Sequence, residues 1–150
     1  MSVQKDRNKT QSIIYLIFTI LWVCVIFSFS LQNGEESSQL SGGIVAYLVE
    51  WIAPEGFEQV EVLELVIRKG AHFTEYFILG ILLSQTIRTM KGKGSMLFSW
   101  FIGTMVACCD ESIQLFSDGR AGQITDVMLD SSGVFAGCLL LHFLFKRIKG

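Results

Sequence analysis

Three short segments of this chain place ionisable and amide side chains beside or inside apolar runs. Arg68, Lys69, His72, Glu75 and Tyr76 form the first; Asp110, Glu111 and Gln114 the second; Arg120, Asp126 and Asp130 the third. Arg68, His72 and Glu75 stand at i, i+4 and i+7, the spacing of one helix face. Cations beside carboxylates suit an anionic ligand. Arg68, Lys69 and Arg120 would hold phosphate oxygens, with arginine offering a bidentate fork. Glu75 and Asp110 would orient those cations, Tyr76 and Gln114 would add hydrogen bonds, and Asp126 and Asp130 would complete the polar lining. The same residues also support catalysis. His72 and Glu75, one helical turn apart, would form a base and its orienter, with Arg68 and Arg120 stabilising a phosphorane-like transition state. Asp110, Glu111 and Asp126 would then supply an acid or hold a divalent ion. A purely structural reading stands beside both: Arg68 or Lys69 bridging to Asp110 or Glu111, and Arg120 to Asp126. The number of groups argues against it, because pinning a few helices needs far fewer.

Other chemistries find little footing. His72-x-x-Glu75 resembles half of a carboxylate–histidine metal motif. The cluster has one histidine and no close-spaced nitrogen or sulfur ligand set, so no metal site is assigned and no cofactor is expected beyond that divalent ion. Gly-x-Ser-x-Gly nucleophile motifs and phosphate-binding loops are absent. Cys24, Cys108, Cys109 and Cys138 all fall in apolar runs and read as small buried hydrophobes. His142, near the end of the last apolar run, reads as an interfacial polar tip.

The elements that must position these residues are long and apolar. Apolar residues make up 51% of the 150, with one proline. A soluble domain with that content would need a core larger than its length allows. Nine of the twelve Lys and Arg residues cluster at Lys5 to Lys9, Arg88 to Lys93 and Lys146 to Lys149. Cytoplasmic loops carry such an excess. The pattern predicts an all-α, four-helix membrane bundle forming a single domain over residues 1–150, with both termini cytoplasmic. Its spans lie at about 13–31, 70–87, 95–116 and 124–145, in a multi-pass membrane protein. The first run exceeds the ~7–15-residue core of a signal peptide, despite Ser28 and Ser30 near its end, and reads as an uncleaved anchor.

Between the first and second spans, Glu35 to Glu64 holds seven glutamates and no Lys or Arg. An external loop accommodates this; a nucleic-acid partner, which demands a basic footprint, does not. Gln32 to Ser38 reads as a polar turn, and Ile44 to Ile52, with Tyr47 and Trp51, as a short interfacial helix ended by Pro54 and Gly56. Because the spans alternate direction, all three polar segments fall at similar outer-leaflet depth. A charge at mid-membrane costs ~2.5–3.5 kcal/mol on insertion scales, so these groups should face the bundle interior. Ser99, Gly103 and Ala107, and Gly133 and Gly137, make small-residue stripes suited to close helix contact or to a homo-oligomer.

Arg68-Lys69-x-Ala71-His72-x-x-Glu75-Tyr76-x-x-Leu79-Gly80 resembles the first signature of the VanZ-like family. Asp110-Glu111-x-x-Gln114-x-Phe116-x-x-Gly119-Arg120, followed by Asp126, Asp130 and Gly133, is similar to its second. The family's namesake raises resistance to the glycopeptide teicoplanin without altering the peptidoglycan precursor. The resemblance implies a multi-pass protein of the bacterial cytoplasmic membrane; the cations and carboxylates at the outer leaflet suit a membrane lipid or lipid-linked wall precursor as its partner. It leaves open whether this chain binds such a molecule or modifies it.

Overall fold

A computed structural model describes residues 2–52, 60–91, 95–117, 119 and 122–149. Every regular element among them is a helix: α1 (Ser2–Ser30), α2 (Gly34–Ile52), α3 (Val60–Lys91), α4 (Met96–Gln114) and α5 (Ile124–Lys149). Three stretches are long and apolar enough to cross a membrane: Lys9–Ser30, Met96–Gln114 and Ile124–Arg147. Helix α3 falls outside that set for a physical reason. Its 32 residues span about 48 Å at ~1.5 Å per residue, more than a ~30 Å hydrocarbon core. However, Arg68, Lys69, His72 and Glu75 interrupt its apolar content.

Of these, His72 and Glu75 are partly sheltered because α3 lies at the centre, packed against each of the other four helices. Tyr76, Leu79 and Leu83 of α3 join Ile26 of α1, Ala107 of α4, and Val134 and Cys138 of α5 in the core. Outside it, large apolar side chains such as Ile17, Phe18, Phe101 and Phe143 are exposed. That is the arrangement expected where acyl chains, as apolar as leucine, are the solvent.

Helices α3 and α5 approach each other closely. A Cβ at Gly133 would stand 2.6 Å from the Phe73 carbonyl oxygen, and those at Gly80 and Gly137 would meet the Val134 and Phe77 carbonyls. Backbone touches backbone there, so the stripe of Gly133 and Gly137 is used inside the chain. Ser99, Gly103 and Ala107 are likewise buried in α4. These small-residue faces thus pack helices within the chain.

Lateral hydrogen bonds tie neighbouring helices together. Thr19 and Thr86 share one of 2.8 Å between α1 and α3. The Trp22 indole donates to the Glu75 carbonyl at 2.9 Å, and the Trp100 indole to Ser131 Oγ at 2.9 Å. At one end of the helices the Arg88 guanidinium lies 3.2 Å from the Phe145 ring centre, and Lys91 Nζ 4.2 Å from that of Phe98.

The segment after α1 differs from the expected turn. Residues 31–33 suffice to reverse the chain, and α2 begins at Gly34, so Gly34 to Ser38 are helical. Glu35, Glu36 and the serines are helix-compatible, and negative charge suits a helix N-terminus. Gly34 also packs against the α4–α5 turn: a Cβ there would lie 2.5 Å from the Gly119 carbonyl oxygen, and Gly119 itself has φ +74°. Residue Lys91 closes α3, while Pro54, Gly56, Gly92 and Gly94 lie outside the described residues.

Candidate functional site

At the end opposite Arg88 and Lys91, all five helices contribute to one polar region. Ser30 ends α1 and Gly34 opens α2; Lys69 and His72 come from the first half of α3; Asp110, Glu111 and Gln114 from the end of α4; Asp126 and Asp130 from the start of α5. The helix directions produce this meeting, because α1 and α4 finish where α3 and α5 begin.

Asp110 and Asp130 are fully buried, each 0% exposed. Their environments differ. Ser30 Oγ donates to Asp110 Oδ1 at 2.5 Å, and Gln114 Nε2 donates to Oδ2 at 3.3 Å. Neither oxygen of Asp130 accepts a hydrogen bond from any described group. His72 Nδ1 stands 4.0 Å from Asp130 Oδ1, beyond hydrogen-bond reach. The Tyr76 hydroxyl, also buried, makes no hydrogen bond among the described residues.

Lys69 Nζ pairs with Asp126 Oδ1, both partly exposed. Here the pinning role materialises, but with Asp126 rather than Asp110 or Glu111 as the acid. The Glu111 carboxylate takes the backbone N–H of Gln123 at 2.9 Å, which ties the end of α4 to the start of α5. Glu75 is half-buried on α3 and Arg68 is exposed. Arg120 lies outside the described residues.

A cavity of about 270 Å³ opens beside this cluster, lined by Arg68, Lys69, His72, Gln114, Gln123 and Asp126 among others. Arg68 also borders a shallower cavity of about 440 Å³ with Glu61, Glu64 and Ser38. Two cations and an imidazole therefore line one pocket, with Asp126 beside them. The ligand atoms of His72, Asp110 and Asp130 all sit within 4.8 Å of one another.

Sequence reading grouped His72 and Asp110 with catalysis, and Asp130 with ligand binding. The geometry joins these three instead, one from each of α3, α4 and α5. Ser30 escaped it altogether. A serine closing an apolar run is common, and nothing local in the sequence marks it as the donor to an aspartate 80 residues away. Its further contact, Ser117 Oγ donating to the Ser30 carbonyl at 3.0 Å, is equally invisible before folding.

Long apolar helices enclosing a buried carboxylate cluster beside a cationic pocket define a membrane protein with one polar interior site. Residues 15–146 match the VanZ/LLP1 family; the chain belongs to that family. No curated protein and no solved structure matches it.

Proposed function

We propose that this VanZ-like protein binds the anionic head group of a membrane lipid or lipid-linked wall intermediate in the cavity beside Arg68 and Lys69. The observation that carries this reading is the lining of that cavity: Arg68, Lys69 with its partner Asp126, and the neutral hydrogen-bonding groups of Gln114 and Gln123. A phosphate oxygen set matches both cations, through the arginine fork and the lysine point charge. Arg120 belongs to the same anion site in this proposal.

The placement we propose is a bacterial cytoplasmic membrane with four spans, α3 being the fourth, and both termini on the cytoplasmic side. The central packing of α3 supports counting it as a span. Arg88 and Lys91, at the end remote from the cavity, support an outer-leaflet site through the preference of basic residues for the cytoplasmic face. Occupancy of a wall intermediate at that leaflet would alter its access to a glycopeptide such as teicoplanin.

The test is mass spectrometry of lipids retained by the detergent-purified protein. A phosphate-bearing lipid retained by wild type and depleted in Arg68→Gln/Lys69→Gln is expected. Identical lipid inventories would refute the reading. Teicoplanin susceptibility of cells carrying either form then tests the consequence for the wall.

An intramembrane enzyme acting on head groups is a second reading, favoured by His72 lining the cavity. It predicts a covalent envelope product that appears with wild type and not with Glu75→Gln at matched abundance. Comparing envelope lipids and wall precursors between those cells separates it from binding alone.

A further inference from the structure

We propose that His72, Asp110 and Asp130 form a site for one divalent transition-metal ion beside the cavity. The geometry is near that of a coordination sphere. Two ligands each ~2.0–2.2 Å from a common ion stand up to about 4.4 Å apart. His72 Nδ1 and Asp130 Oδ1 are 4.0 Å apart and the full set fits within 4.8 Å; three ligands at that radius stand about 3.3–3.8 Å apart in a tetrahedral or trigonal arrangement, so closure needs shifts of up to about an ångström.

Asp130 supplies the independent observation. Its side chain is 0% exposed, and both its oxygens lack a hydrogen-bond donor among the described residues. No described Lys or Arg lies within 4.0 Å of Asp110 or Asp130, Lys69 being engaged by Asp126. Buried carboxylates are normally paired, hydrogen-bonded or metal-bound. Two aspartates and one divalent ion are together neutral, which removes the cost of burying the charge.

The surroundings resemble the outer shell of a metal site. Ser30 and Gln114 hold the Asp110 carboxylate from both oxygens, as ligating carboxylates are held. The glycine-mediated contact of α3 with α5 fixes two of the three ligand-bearing helices relative to each other. One imidazole with two carboxylates suits manganese, iron(II) or zinc better than calcium or magnesium, which take all-oxygen sets. Since His72 lines the cavity, a coordination position facing it would accept a phosphate oxygen. That last step rests on the head-group reading; the metal site does not.

The test uses the full chain in detergent, stripped with a chelator and titrated separately with Mn²⁺ and Zn²⁺. Metal content after desalting and the thermal unfolding midpoint are both measured. Wild type should retain one ion per chain and unfold at a higher temperature with it. Asp130→Asn should retain at least about tenfold less, while Lys69→Gln should keep its metal even where it loses lipid. Should Asp130→Asn fail to fold, the wild-type titration decides. Wild type that retains neither ion and shows no shift in midpoint overturns the proposal, as does an Asp130→Asn protein that retains metal like wild type. Metal retained without any phosphate-bearing lipid would sink the head-group reading and leave the metal site standing.

Discussion

Along α3 and α5, Gly80, Gly133 and Gly137 bring backbone against backbone, while less than one turn before Gly133 the fully buried Asp130 carboxylate has no hydrogen-bond donor among the described residues. One region satisfies every packing rule and the other violates one. Close glycine contacts gain dispersion energy and suit membrane interiors, where no hydrophobic effect drives helices together. A buried carboxylate without a donor costs stability. Proteins break local rules at functional sites. The difference therefore separates a scaffold from a site on the same two helices, and the scaffold holds the ligand-bearing positions in register.

That division is open to attack by mutation. The largest stability loss should come from Gly137→Leu, whose side chain would enter the Phe77 backbone. Overpacking there should cost about 3 kcal/mol, read from denaturant unfolding in micelles, with lipid retention falling only as the protein unfolds. A neutral result would mean that the contact is not the scaffold.

Ser30→Ala probes the site's own support. It removes the donor to Asp110 Oδ1 and leaves the buried carboxylate with Gln114 alone. A loss of about 2 kcal/mol is expected in the same unfolding assay. An unchanged curve would show that this bond is not formed in the membrane protein.

Lys69→Gln acts in the lining of the cavity. It should weaken retention of an anionic lipid about tenfold, equivalent to about 1.4 kcal/mol of binding, measured by lipid titration in nanodiscs. Unfolding should move little, because the Lys69–Asp126 pair is partly exposed and such pairs contribute about 0–1 kcal/mol. Trp100→Phe should have the smallest effect. It deletes the hydrogen bonds to Ser131 at a half-exposed place between α4 and α5, for about 0.5–1 kcal/mol by the same unfolding measurement, with lipid retention intact.

The sequence made the scaffold legible because helix spacing and small-residue periodicity are local signals. Gly133 and Gly137, four apart, already mark a close contact, and Ser99, Gly103 and Ala107 mark another. What periodicity cannot supply is the partner. Nothing in the chain says that Gly133 and Gly137 meet Phe73 and Phe77 rather than a second copy. Helix α3 shows a related limit: its polar residues lower its hydropathy, yet its position among four helices partly shelters His72 and Glu75.

The site was legible as a set of residues and not as an arrangement. His72, Asp110 and Asp130 stand out as polar groups in apolar runs, because membrane helices rarely carry them without purpose. Their convergence depends on helix rotation and depth, which sequence spacing leaves free. Lys69 pairing with Asp126, and Ser30 reaching Asp110, depend on the same two variables.

The most direct test is Asp130→Asn, with lipid retention measured on the metal-loaded protein and unfolding free energy on the chelator-treated protein, each against wild type. A site role predicts loss of the phosphate-bearing lipid while stability is unchanged or rises by about 1–3 kcal/mol, as an unsatisfied buried carboxylate disappears. Lost stability with lipid still bound would contradict it and make Asp130 a structural pin.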